Sequence, residues 1–164
     1  AEYRLLFLLG DDTAIAKWGK RLKTVNPISQ VGGDMAFLLL NPVHPKFVPL
    51  AAETLMIEED TKRAFVAGEF VLDPRSVVAA MVILRTVASC DSFEPDVRQW
   101  ARIAERHFCG DQFRPWARTW WEVNKGHIIA GEYARARALT YEEMNISPEK
   151  FNPPAVLPGR KVGE

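Results

Sequence analysis

Between positions 63 and 81 the chain reads RAFVAGEFVLDPRSVVAAM, which sets Gly68, Glu69, Asp73 and Arg75 between a strand-like run and a helix-like one. These residue types can build a phosphate site. A glycine at a strand-to-helix turn lets backbone N–H groups approach phosphate oxygens closely. The N-terminus of the following helix adds partial positive charge, and an arginine supplies a bidentate clamp. A carboxylate at the rim holds a divalent metal or positions a water. On this reading Glu69 and Asp73 are catalytic, Glu69 serves as metal ligand or general base, and Gly68 and Arg75 hold the phosphates. Turn chemistry accounts for the same residues: Gly68-Glu69 as a turn or bulge, Asp73-Pro74-Arg75 as a helix start.

A second constellation is basic and aromatic. Arg98, Arg102 and Arg106 lie four apart, so on a helix they share one face. Arg114 and Arg118 bracket Trp116, with Trp120 and Trp121 close behind and Arg135 and Arg137 further on. Arginines beside aromatics can follow a nucleic-acid backbone and stack bases, or anchor a protein interface. Interleaved Glu94, Asp96, Glu105, Asp111 and Glu122 dilute any phosphate-binding stripe. A solvated helix face over a Trp-rich core explains the pattern first, a protein interface second.

The elements that must position these groups follow from hydrophobic periodicity. Residues 3–9 form a compact apolar run stopped by Gly10-Asp11-Asp12, which reads as a buried strand. Residues 13–22 fit a short helix capped by Asp12 or Thr13. Residues 35–40 read as a second strand, and three prolines make residues 41–49 loop or extended. Residues 50–58 fit helix or strand, and residues 59–62 a hairpin turn into a strand at 63–66. From Pro74 the period becomes helical, with Val77, Val78, Met81, Leu84 and Val87 on one stripe. Ser92 reads as the cap of a second helix whose stripe is Phe93, Val97, Trp100, Ala101, Ala104 and Phe108. A third helix is expected near residues 113–124 and a short fourth near 131–139. Thr140-x-x-Glu143 is a capping-box signal. Strands early and helices late predict an α+β fold, with one domain over 1–151 and a Pro- and Gly-containing tail over 152–164.

Residues 41–46, NPVHPK, follow the second expected strand, and FVAGE follows at 65–69, with Ala79-Ala80 in the next helix. This order resembles the ParB/sulfiredoxin superfamily. Members carry an Asn-Pro-x-Gln-Pro-Arg box after a strand and a later Ala-Gly-Glu-Arg-Arg or Asp-Gly-x-x-Arg box before an alanine-bearing helix. Here Phe70-Val71 stand where that family has consecutive arginines, and the helix between the boxes is shortened or missing. The resemblance adds His44 and Lys46 to Gly68 and Arg75 as nucleotide-binding candidates. It implies ATP and Mg2+ as cofactors, with ATPase and DNase activity. Within the superfamily, size and motif order are similar to compact plasmid-encoded proteins of the oncogenic-suppression and fertility-inhibition type. Those act in the bacterial cytoplasm against conjugative transfer, so DNA and a type IV coupling-protein or relaxosome component become the expected partners. The competing expectation is a non-enzymatic α+β interaction protein that binds a partner through Arg98, Arg102, Arg106, Arg114, Arg118 and Trp116.

Composition narrows the rest. With 164 residues, 21 basic and 21 acidic side chains and a formal net charge of zero, any nucleic-acid contact must come from a local basic face. The apolar runs are too short for a helical membrane span, and no leader pattern is visible at the N-terminus. Cys90 and Cys109 make no disulfide framework, and His44, His107 and His127 lack metal-ligand spacing, which fits a reducing cytoplasm.

Overall fold

Apolar side chains recur three and four apart through most of the chain, and the backbone answers with helices. The computed structural model describes residues 2–24, 44–60, 65–66, 69–70, 74–106 and 113–147. These form six α-helices: α1 (Glu2–Leu8), α2 (Asp12–Thr24), α3 (Phe47–Asp60), α4 (Pro74–Ser89), α5 (Pro95–Arg106) and α6 (Phe113–Ile129). A 3-10 turn, Tyr133–Arg135, follows α6. The only strand pairing among the described residues is a two-residue antiparallel ladder, β1 (Phe65–Val66) on β2 (Glu69–Phe70). Helix takes 73% of the described residues, so the α+β expectation is overturned and the domain is helical.

The physical reason is plainest at α1. A short apolar run fits a buried strand and one helical turn equally well, and only burial separates them. Residues 3–9 coil, burying Phe7 while Leu5, Leu8 and Leu9 face outward. The expected strand at 35–40 lies outside the described residues. The ambiguous stretch 50–58 falls within α3, where Phe47, Val48, Ala51, Ala52 and Leu55 are fully buried at helical spacing.

Helix α4 is the axis of the packing. It contacts α2, α3, α5 and α6, most extensively α3. Its buried residues Val78, Ala79, Ala80, Val82, Ile83, Leu84, Val87 and Ala88 occupy more than one face, as a helix covered on several sides requires. Alanines at 79, 80 and 88 let neighbouring helices approach closely. Both α4 and α5 begin on proline, whose fixed φ and missing N–H suit the first helical position. Thus Glu94, rather than Ser92, precedes the first turn of α5, and its carbonyl accepts the Arg98 N–H at 3.0 Å.

The expected fourth helix at 131–139 does not form. Gly131 adopts φ +74 and ends α6: its N–H donates to Ile128 O, and the Glu132 N–H donates to His127 O. That pair of bonds is a Schellman cap. Beyond the 3-10 turn the chain runs on without helix to a single capped turn at 140–145. Thr140 and Glu143 make the expected capping box reciprocally, at 3.0 and 3.1 Å. Asn145, at φ 54, stops the turn before a second can form.

Candidate functional site

Two sites can be built from the described residues. The first begins at the α1–α2 corner. Gly10, with φ +71, ends α1: its own N–H reaches Phe7 O, and the Asp11 N–H reaches Leu6 O. Asp11 then caps α2, its Oδ1 accepting the Ala14 N–H at 2.9 Å, one residue earlier than the expected cap.

Against this corner stands the start of α3. The His44 ring packs on Gly10 so closely that a side chain there would overlap it. His44 Nδ1 accepts the Lys46 backbone N–H at 3.2 Å. The Lys46 ammonium donates to Gly10 O at 3.0 Å and to Asp12 Oδ1 at 2.8 Å. That hydrogen bond holds the Asp12 carboxyl below its ordinary range and raises Lys46. Burial, aided by the Lys46 charge, keeps His44 below the usual imidazole value.

His44 and Lys46, the nucleotide-binding candidates with described side chains, are therefore brought together, but around Gly10 and Asp12. An exposed carboxylate beside the ammonium repels phosphate, so this arrangement suits a structural clamp better than a triphosphate grip. Gly68 and Asp73 lie outside the described residues. Glu69 falls in β2 and Arg75 in the first turn of α4, with their side chains outside them as well. Among the described residues no group of three or more His, Cys, Asp or Glu is placed to hold a metal ion.

The second site is the arginine helix. Val97, Trp100, Ala101, Ile103 and Ala104 bury one side of α5, which leaves Arg98, Arg102 and Arg106 along the other. Two of them also bind back to the preceding corner. Arg98 pairs with Asp91 at 3.1 Å, and Arg102 donates to Ala88 O at 3.2 Å, meeting an end carbonyl of α4 where the helix dipole is negative. Arg106, at the C-terminal end of α5, is exposed and makes no such contact among the described residues. Arg85 pairs with Glu105 across α4 and α5.

Arg118 is half-buried and reaches Leu55 O at 3.5 Å, tying α6 to α3. Trp116 does not face a partner: it is 3% exposed, and its indole N–H donates to Met144 O at 3.1 Å. Trp100 and Trp120 stack at 6.3 Å in the same core. Sequence reasoning missed Asn124, whose side chain is buried and bonded to the backbone of Arg137. An asparagine deep in an otherwise apolar helix stripe was the available signal. Compared with protein-family models, curated proteins and solved structures, the chain matches none.

Proposed function

We propose that this chain is a non-enzymatic helical interaction protein that uses the outer face of α5 to hold an acidic protein surface. One observation carries the reading: Arg98, Arg102 and Arg106 share a face whose opposite side is locked into the core by Trp100 and its neighbours. The helix backbone is fixed by the core, Arg98 and Arg102 are partly ordered by Asp91 and Ala88 O, and arginine is a frequent interface anchor. The tryptophans support this face from beneath and do not form part of it. The resemblance drawn from the motifs nominates a component of the type IV coupling machinery as the partner, with interference in conjugative transfer as the result.

The test uses Arg106→Glu, because Arg98 and Arg102 also secure the α4–α5 corner. A fluorescent acidic peptide, a run of glutamates, should bind the wild-type protein at low salt, and Arg106→Glu should weaken it at least fivefold with helical content unchanged. Equal binding by the variant overturns the proposal. Tighter binding of a DNA duplex than of the peptide, with a steep salt dependence, moves the face to DNA. Magnesium-dependent ATP hydrolysis above a buffer blank, abolished by Glu69→Ala in a folded protein, restores the enzymatic reading.

A further inference from the structure

Exposed leucines gather at the N-terminal corner. Leu5, Leu8 and Leu9 are 57%, 42% and 70% exposed, on and just after a helix of seven residues. Phe7 of the same helix is buried, and Leu6 is packed against the core. Helix α1 is therefore apolar on two sides, of which the fold uses one.

The unused side is shared with α2. Phe7 and Trp18 both lie against the Phe47 ring, at centroid distances of 5.8 and 5.0 Å. Two residues of helix turn about 200°, so Leu5 and Leu9, two positions either side of Phe7, face away from Phe47. Ala16 and Lys20 stand in the same relation to Trp18. One outward surface thus joins Leu5 and Leu9 to Ala16 and Lys20, with Leu8 and Lys17 at its margins; Ala16, Lys17 and Lys20 are all exposed. Asp12, the exposed carboxylate at the corner, is held by the Lys46 ammonium at 2.8 Å. The charge presented beside the leucines is accordingly positive.

Leucines and lysines on one surface match the boundary of an anionic bilayer. Apolar side chains enter the acyl region there, while ammonium groups stay among the headgroup phosphates. Three partly exposed leucines offer roughly 300 Å² of apolar surface, well below the ~800 Å² that each partner gives to a standard protein interface. A bilayer needs no matching patch, and electrostatic attraction adds to the apolar burial. We propose that the α1–α2 face docks on anionic phospholipid, with Leu5, Leu8 and Leu9 entering the bilayer and Lys17 and Lys20 meeting lipid phosphates. The chain lies on the membrane, since no helix among the described residues is long and apolar enough to cross it. This face is built from other elements than the arginine face of α5, and the docking does not depend on what that face holds.

The experiment sediments the full chain with vesicles of about one third phosphatidylglycerol in phosphatidylcholine. The wild-type protein should partition to them at low salt and leave as salt is added. Leu5→Ser with Leu9→Ser should bind about tenfold more weakly at unchanged helical content, because both side chains already face solvent. Lys17→Ala with Lys20→Ala should weaken binding by a similar factor and flatten its salt dependence. Arg106→Glu should bind as the wild type does. No partition of the wild-type chain, or equal binding by the leucine variant, overturns the proposal. Equal binding to pure phosphatidylcholine, or no effect of the lysine substitutions, overturns the anionic-lipid assignment. Self-association without lipid that the leucine variant abolishes gives the patch to a second copy instead. Should the leucine variant fail to fold, the wild-type protein still decides: vesicles should slow hydrogen exchange at the Leu8 and Leu9 amides and leave α5 unchanged, and unaltered rates at Leu8 and Leu9 are the contrary result.

Discussion

A Cβ placed on Gly10 would come within 2.8 Å of Cε1 of His44, and Gly10 itself holds φ +71. The glycine and the imidazole therefore share one space at the corner where α1 and α2 meet α3. Left-handed backbone and steric overlap act together there. Gly10→Ala should lower stability by about 3 kcal/mol, the combined scale of a strained φ and an overpacked contact. Urea unfolding measures this. His44→Ala introduced with Gly10→Ala should recover part of the loss, because it removes the overlap but not the backbone strain; strict additivity of the two would show that they do not share space.

The same histidine predicts a pH dependence. Burial and the Lys46 charge hold His44 below its ordinary 6.5, with Asp12 acting in the opposite sense. The unfolded chain therefore takes up the proton more readily than the folded one. The contribution of His44 is fully present above about 6.5 and is lost as pH falls toward its folded value. Protonation also turns Nδ1 from an acceptor of the Lys46 N–H into a donor. Stability measured from pH 8 down to pH 5 should fall more steeply for the wild type than for His44→Gln, and parallel curves would refute the assignment.

In the segment that follows α6, Glu143 accepts two guanidinium bonds from Arg137, at 2.7 and 3.0 Å, and caps Thr140. The Arg137 bond, then the Thr140 N–H, hold its carboxyl down at about 2. Its contribution is present above about 4.5 and disappears as pH drops toward 2. Acid titration of Glu143→Gln should lack that limb. Thr140→Ala, which removes the hydroxyl side of the capping box, should cost about 1 kcal/mol in thermal or urea unfolding at neutral pH.

Asn124→Ala removes both the acceptor of the Arg137 N–H and a donor to Arg137 O, at a part-buried position. The loss should be about 1–2 kcal/mol, the scale of two part-buried hydrogen bonds. Because Trp120 donates to the same Arg137 carbonyl, the tryptophan emission of the folded variant should shift to longer wavelength as residues 133–146 loosen. Unchanged emission with unchanged stability would place the hold on residues 133–146 elsewhere.

Cys90 is buried, and desolvation pushes its thiol up to about 12. A thiol so rarely ionised reacts slowly. In a Cys109→Ser background, Cys90 should react with an aromatic disulfide reagent at pH 8 at least a hundredfold slower than in urea. Comparable rates would mean that the α4–α5 corner opens readily.

Much of the helical half was legible in advance, since α4, α5 and α6 carry apolar stripes and α4 and α5 open on proline, whereas Gly131, which ends α6, was read as the start of a further helix. The Thr140–Glu143 capping box was legible for the same local reason, because both partners sit within one turn. Residues 3–9 were misread because seven nearly continuous apolar positions do not distinguish a strand from a short helix, and the resulting α+β fold fell with them. The arginine face was legible from spacing alone. Trp116 was not, for an aromatic at helical spacing can point to partner or core, and the fold turns it inward onto Met144.

By itself, then, the sequence determined the helical runs of α4, α5 and α6 and which side of α5 is basic, because those depend on neighbours within a few residues. Only the tertiary structure decided what the polar groups meet. Lys46 finds Gly10 and Asp12 more than thirty positions upstream, and Asn124 finds the backbone of Arg137 across a glycine turn. Such pairings are made by helix packing, which brings distant residues together according to buried shape and leaves no periodic trace in the chain.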